Sequence, residues 1–216
     1  MLADSDEPGR RGASTRLLAA ATEEFARQGF ANARVRAIAV AARVNPAAAN
    51  YYFGGKKGLY RATLKHLAGR LEPLDAKELA GACASPCPMH RSVVAMLNRF
   101  SGNSNAVPLA KILAHEALTP SGHIEPILDD ALGAELSLLG SAVHEIDAGI
   151  DSKRQKSAAR TILAQCVLGL FAGSASEGGA TRFEMDEDAC EILATQISKL
   201  AIGSLKRVKR APEGGQ

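Results

Sequence analysis

The stretch "VNPAAANYYF", Val44 to Phe53, joins a helix start to a helix that has no room to grow. Asn45 has a side chain able to accept a bond from a free amide, and Pro46 suits a first helical position because it has no amide to leave unpaired. A helix is expected from Pro46, and Gly54 and Gly55 stop it directly after Tyr51, Tyr52 and Phe53. About two turns of helix do not persist by propensity alone, so packing must hold them while the polar face does something else. That face matters in a chain with only 3 tyrosines, 6 phenylalanines and no tryptophan.

Outward from this stretch, nearly every segment has helical periodicity and no alternating strand pattern is convincing. Residues 14–28 put Leu17, Leu18, Ala21 and Phe25 on one stripe, with Gly29 as the stop. Val35 to Ala42 gives a second short helix with Val35, Ile38, Ala39 and Ala42 inward. A fourth begins near Lys56 or Lys57 and carries Leu59, Tyr60, Leu64, Leu67 and Leu71. Pro86 and Pro88 break the pattern, and further helices are expected at 89–101, 106–118, 124–147, 153–175 and 187–204. From Ile162 to Ala175 the pattern is apolar nearly all round, which calls for cover on more than one side.

The net charge of +3 divides unevenly along the 216 residues. Residues 1–70 hold 12 Lys or Arg against 5 acids, a net +7, and residues 71–205 hold 10 against 17, a net −7. The remaining +3 lies in the tail, where "KRVKR" supplies four bases. A basic first third suits a polyanion, and the acidic remainder suits something else. No run of about 18 apolar residues occurs, and acids and a proline occupy the place of a signal peptide's apolar stretch, so a soluble, cytoplasmic protein is expected. Four cysteines fit a reducing compartment.

Three short helices in a row, the second and third joined by a tight turn, have the lengths of a helix-turn-helix whose last member lies in the DNA major groove. Over residues 14–70 the sequence resembles the TetR family of transcriptional regulators. The landmarks are the phenylalanine and glycine of "EEFARQGF", the "IAVAARV" helix, the run "YYF", and Lys56 followed by Leu59. The stretch "AKILAHEALTPSGHIEPIL" is similar to the C-terminal domain of the CecR-like branch.

The resemblance implies an all-α fold: a disordered arm at 1–13, a helix-turn-helix DNA-binding domain at 14–55, a helical effector-binding and dimerisation domain at 56–205, and a basic disordered tail at 206–216. It implies a one-component regulator, a repressor, bound to a palindromic operator as a homodimer and released by a small molecule. Arg36, Asn45, Ala47, Ala48, Asn50, Tyr51, Tyr52 and Lys56 match DNA-contacting positions. Effector-lining candidates are Leu67, Met96, Arg99 and Phe100, with Leu113, His115, Glu116, Leu139 and Val143. The apolar helix and the last helix offer a dimer interface through Leu163, Val167, Gly169, Leu170 and Gly173, with Leu193, Ile197 and Leu200. Gly169 and Gly173 would admit a helix of a second copy.

Three positions depart from the family pattern. Ala33 stands where a threonine or serine cap is usual, so Asn32 is expected to cap instead. Ala37 replaces an acid. Arg43 replaces the turn glycine and carries strain of about 1 kcal/mol or more if that turn needs positive φ, with its charge near the DNA backbone.

No Walker lysine motif, no dinucleotide glycine fingerprint and no metalloprotease pair occurs, so no enzyme and no cofactor are expected. The competing class is a helical enzyme or interaction module whose basic end meets a protein or an acidic membrane, for which the first third lacks a strong apolar face. Cys83, Cys87 and His90 raise a redox or soft-metal site, but their spacing matches no strong zinc pattern. A hard-metal set from His115, Glu116 and His123 is weaker still, because "TPSG" interrupts it. No metal site is assigned.

Overall fold

A computed structural model describes residues 7–71, 85–101, 106–119, 125–173 and 185–210. The described residues form ten helices and no strand, in line with the all-α expectation. They are α1 (Glu7–Asn32), α2 (Val35–Ala41), α3 (Ala47–Phe53), α4 (Lys56–Ala68), α5 (Pro88–Phe100), α6 (Ala106–Leu118), α7 (Glu125–Ala131), α8 (Gly133–Ile146), α9 (Ser152–Gly173) and α10 (Glu187–Arg210).

Two compact units result, one from residues 1–70 with 108–131, the other from 71–107 with 132–216. This division differs from a cut at residue 55: α4 belongs with α1, α2 and α3, and a later stretch of chain joins them. Two expected ends also shift. Residues 7–13, expected in a disordered arm, are helical in α1, and α10 runs to Arg210, past the expected start of the tail. The helix expected over 124–147 is interrupted at Leu132, fully buried with φ −124° and ψ 31°.

In the first unit, Leu17, Ala21 and Phe25 of α1 meet Ile38 and Ala39 of α2, Ala49 of α3, and Leu59, Tyr60 and Leu64 of α4 in one core. Phe25 and Tyr60 pack edge to face at 4.8 Å between centroids, and Phe30 tilts against Tyr60 at 4.9 Å. Near its end α1 is kinked at Gly29, whose φ of 70° and ψ of 174° lie in a region essentially reserved for glycine. A β-carbon there would stand 3.1 Å from Cβ and Cγ of His115, which closes over it and bonds the Ala26 carbonyl through Nε2 at 3.2 Å. The next residue on α6, Glu116, accepts the Tyr60 hydroxyl proton at 3.1 Å. Burial foremost, then the Glu116 charge, holds the Tyr60 phenol above its ordinary range.

In the second unit α5 is the central helix, with Met89, Val93, Val94, Met96, Leu97 and Phe100 all buried and with α8, α9 and α10 packed around it. One polar residue is paired inward: Arg99 places Nε and Nη2 each 2.8 Å from Oε1 of Glu135, with side chains only 9% and 3% exposed. His90 Nε2 lies 3.0 Å from Oε1 of Glu191. On α9, Gly169 makes room for Leu193 of α10, whose methyl carbons would lie 2.8 and 2.9 Å from an added β-carbon.

Two outcomes test these contacts. Gly29→Ala forces a side chain into the glycine-only region and against His115, and should cost about 2–3 kcal/mol in a urea denaturation. Burial foremost pushes the Cys166 thiol up from 9.0 to about 12. The folded chain then keeps a proton that the unfolded chain loses, so this contribution is intact below about pH 9 and declines as pH rises toward 12. Cys166→Val should flatten that alkaline limb in denaturations run at successive pH values.

Candidate nucleic-acid interface

The corner between α2 and α3 is built from backbone bonds. The amide of Ala42 donates to Ile38 at 2.9 Å, Arg43 to Val40 at 3.0 Å, and Val44 to Ala39 at 3.0 Å. Closing this turn places Arg43 at φ 54°, so the left-handed conformation anticipated for the glycine-like position is present. From behind, Arg16 of α1 donates Nε to the Ala42 carbonyl at 3.1 Å and ties the corner to the core.

The third helix starts on a side-chain cap. Asn45 Oδ1 accepts the Ala47 amide at 2.9 Å, while its carbonyl accepts that of Ala48 at 2.8 Å. The cap expected from the sequence is thus made, and it occupies the Asn45 side chain. At the other end Gly54, left-handed at φ 70° and ψ 29°, donates to Asn50 at 2.9 Å and ends the helix. Ala49 is the buried anchor, and Asn45, Ala47, Asn50 and Tyr51 are exposed, Tyr51 by 67%. Ala48 and Tyr52 are half-buried. Phe53 is half-buried too, and Tyr51, Tyr52 and Phe53 run edge to face at 5.0 and 6.4 Å between centroids.

Two flanking positions differ in character. Arg36 on α2 is exposed. Lys56, which opens α4, donates Nζ to the Ala31 carbonyl at 3.1 Å and lies 4.9 Å over the Phe30 ring. Desolvation lowers its pKa, against an opposing pull from Glu24. One of its three donors therefore serves the fold. The start of α2 also departs from expectation: Asn32 does not cap it, and Arg34 holds the cap position with its amide on Oε1 of Glu24 at 3.2 Å. Sequence spacing gave no sign of Glu24 or Arg16 in these roles, since their partners lie 10 and 26 residues away.

The residues named as effector lining fall into both units. Leu67, Leu113, His115 and Glu116 belong to the first, where His115 and Glu116 are committed to Ala26 and Tyr60. Met96, Phe100, Leu139 and Val143 are covered in the second, beside the paired Arg99. An open cleft of about 830 Å³ along α1 and α2 and a smaller one of about 240 Å³ beside α5 and α8 include none of the nine.

Of the residues named for dimerisation, Leu163, Val167, Leu170 and Ile197 are buried within this chain's own second unit, and Gly169 meets this chain's Leu193 rather than leaving space for a second copy. Leu193 is half-buried and Leu200 is 61% exposed. Gly173 closes α9, outside the residues whose surroundings are described. Cys83 and His123 likewise lie outside the described residues. Among the described residues no group of three or more His, Cys, Asp or Glu could hold a metal, and no helix is long and apolar enough to cross a membrane.

A short capped helix, held by one buried alanine and presented on a left-handed turn, defines a helix-turn-helix domain in an all-α protein. Residues 17–63 match the family described as "Bacterial regulatory proteins, tetR family", and this N-terminal domain belongs to that family. The chain is also 33% identical over 119 residues to the HTH-type transcriptional dual regulator CecR of Shigella flexneri, covering 50% of this chain and 53% of that protein. The match thus spans about half the length of that relative.

Among solved structures the fold is similar to HlyIIR, a hemolysin II transcriptional regulator, with a TM-score of 0.57 at 19% identity over 88% of this chain and 98% of that one. It is also similar to the regulator FadR from Bacillus subtilis in complex with stearoyl-CoA, with a TM-score of 0.54 at 15% identity over 87% of this chain and 97% of that one.

Because a helix this short depends on its cap, Asn45→Ala should cost about 1 kcal/mol, whereas Asn45→Ser should cost less than half of that in paired urea denaturations.

Proposed function

We propose that the chain is a TetR-type one-component transcriptional regulator that binds a palindromic operator as a homodimer, acts as a repressor, and is released by a small-molecule effector. The observation that carries this reading is α3 itself: seven residues with a single buried anchor and a polar outer face, fixed at both ends. Its length and presentation suit insertion into a major groove.

The roles follow from side-chain chemistry. Asn50 pairs its amide with an adenine edge, and Ala47 and Ala48 touch thymine methyls or allow close approach. Tyr51 and Tyr52 reach phosphates with their hydroxyls, Lys56 does so with the donors left after Ala31, and Arg36 takes a base edge or a phosphate. Asn45 contributes by fixing the first turn against the groove. The basic first third supplies the non-specific attraction on which base reading is superimposed. Binding rather than catalysis is the activity, and the protein works in the cytoplasm on chromosomal DNA.

Two-fold pairing is supported by the helices of the second unit. Ile192 and Leu200 on α10 are 60% and 61% exposed, and Leu168 on α9 is 37% exposed. These aliphatic side chains gain from burial against a second copy, at roughly 1.5–3 kcal/mol for each one fully covered. The effector belongs to the helical remainder and must bind the DNA-incompetent arrangement better than the competent one.

Sequencing duplexes selected from a random pool by the purified protein tests DNA binding and symmetry together, and a palindrome is expected. Asn50→Ala should relax preference at one position of each half-site, by about 1–3 kcal/mol, while Arg36→Ala weakens binding overall. Ile192→Glu with Leu200→Glu should move the sedimentation profile from dimer to monomer; a dimer that persists in the double variant removes this face from the assembly.

A further inference from the structure

Among the described residues Arg43 is the one non-glycine residue with positive φ. In that conformation the β-carbon of an L-residue crowds the following carbonyl, a cost that glycine does not bear. Nothing in the fold calls for arginine here. The turn is closed by the amides of Arg43 and Val44 on Val40 and Ala39, bonds that any side chain would leave in place.

The side chain is exposed, and among the described residues no acid pairs with it. Glu24 is already bonded to Arg27 and to the Arg34 amide. Glu23 lines the same open cleft as Arg43 without forming an ion pair to it. Of the neighbouring cations, Arg16 is bonded to the Ala42 carbonyl and Lys56 gives one donor to that of Ala31, while Arg36 is exposed like Arg43. Arg43 is therefore a cation unused by the fold, held at a strained backbone position two residues before the Asn45 cap of α3. Strain that the surrounding structure maintains without employing the side chain points to a function for that side chain.

We propose that Arg43 is a DNA-backbone contact, its guanidinium taking a phosphate beside the groove segment that α3 occupies, and that the left-handed arginine is tolerated for the sake of that contact. The planar fork of the guanidinium matches two phosphate oxygens. This rests on the DNA-binding reading above and adds to it a residue that positions the protein without reading sequence.

The test uses the full chain and two duplexes of equal length, one recovered by selection and one of arbitrary sequence, titrated by fluorescence anisotropy across a range of salt. Wild type, Arg43→Ala, Arg43→Gly and Arg43→Lys are compared, each with a thermal melt. Loss of one phosphate contact per protomer, two per homodimer, should lower the slope of log affinity against log salt by about 1.8 and weaken binding roughly 3-fold or more at low salt. Arg43→Ala and Arg43→Gly should show this on both duplexes, and Arg43→Lys should keep the slope.

Arg43→Gly should also melt about 2–4 °C above wild type, because strain is relieved, while Arg43→Ala should not. An Arg43→Ala protein that keeps the wild-type slope overturns the contact, as does a loss confined to the selected duplex. A Gly variant that melts no higher than wild type overturns the trade of strain for contact. Wild type that binds neither duplex overturns the DNA-binding reading itself, and the proposal with it.

Discussion

A helix of seven residues is too short to persist in water by its own hydrogen bonds, since isolated helices become stable only at about 12–15 residues. Everything about α3 depends on this constraint. Its first turn is held by the Asn45 side chain, its last by the left-handed Gly54, and its middle by Ala49 alone. A larger anchor would push the helix away from α1 and α4, and a smaller one would not hold it. The small contact has a consequence for the remaining positions. Those around Ala49 are released from packing duty and can be chosen for what they meet outside. The aromatic run at the end of α3 follows the same logic: Tyr52 and Phe53 brace one another edge to face while Tyr51 projects.

The positive charge of the first third has two structural uses that a charge count cannot separate. Arg16 and Lys56 donate to carbonyls at the ends of α2 and α1, where helices leave unpaired acceptors. Arg27 is bonded to Glu24 on its own helix, an exposed pair of small energetic weight. Arg36 and Arg43 are left outward on the two sides of the corner. The excess of +7 is thus partly internal stitching. The part available to a polyanion includes Arg36 and Arg43 near α2 and α3 together with Lys57 and Arg61 on α4.

What could be read from the sequence was local. The Asn45 cap, the glycine stop after the aromatics, the inward Ile38, Ala39 and Ala42 and the left-handed Arg43 each depend on neighbours within a few positions and are present, while Val35, expected inward with them, is half-buried. What escaped depends on partners brought near by folding. His115 and Glu116, read as pocket candidates, close over Gly29 and bond Tyr60 across 86 and 56 residues of chain. Asn32 was a reasonable cap by composition, yet Glu24 was closer in space to the amide that needed an acceptor. The break at Leu132 had no proline to announce it; the residue is fully buried and leaves the helical conformation at φ −124° and ψ 31°. Pairings of this kind leave no period in the sequence.

The second unit shows how an apolar surplus can mislead. Periodicity singled out α9 as the helix needing cover on more than one side, and α5, with histidine, asparagine and two arginines in its sequence, is packed against three others as well. Its polar groups are admitted because they are paired: Arg99 with Glu135, and His90 with Glu191. A buried ion pair adds little net stability over apolar packing of the same volume, but removing one partner leaves an uncompensated charge. Such a pair therefore fixes how α5 and α8 register far more than it strengthens the unit. Much of the apolar area of α9 is then covered by α5, α8 and α10 of the same chain. The aliphatic side chains left in water are then Leu168 of α9 with Ile192 and Leu200 of α10, and the proposed pairing is assigned to them rather than to the glycines of α9.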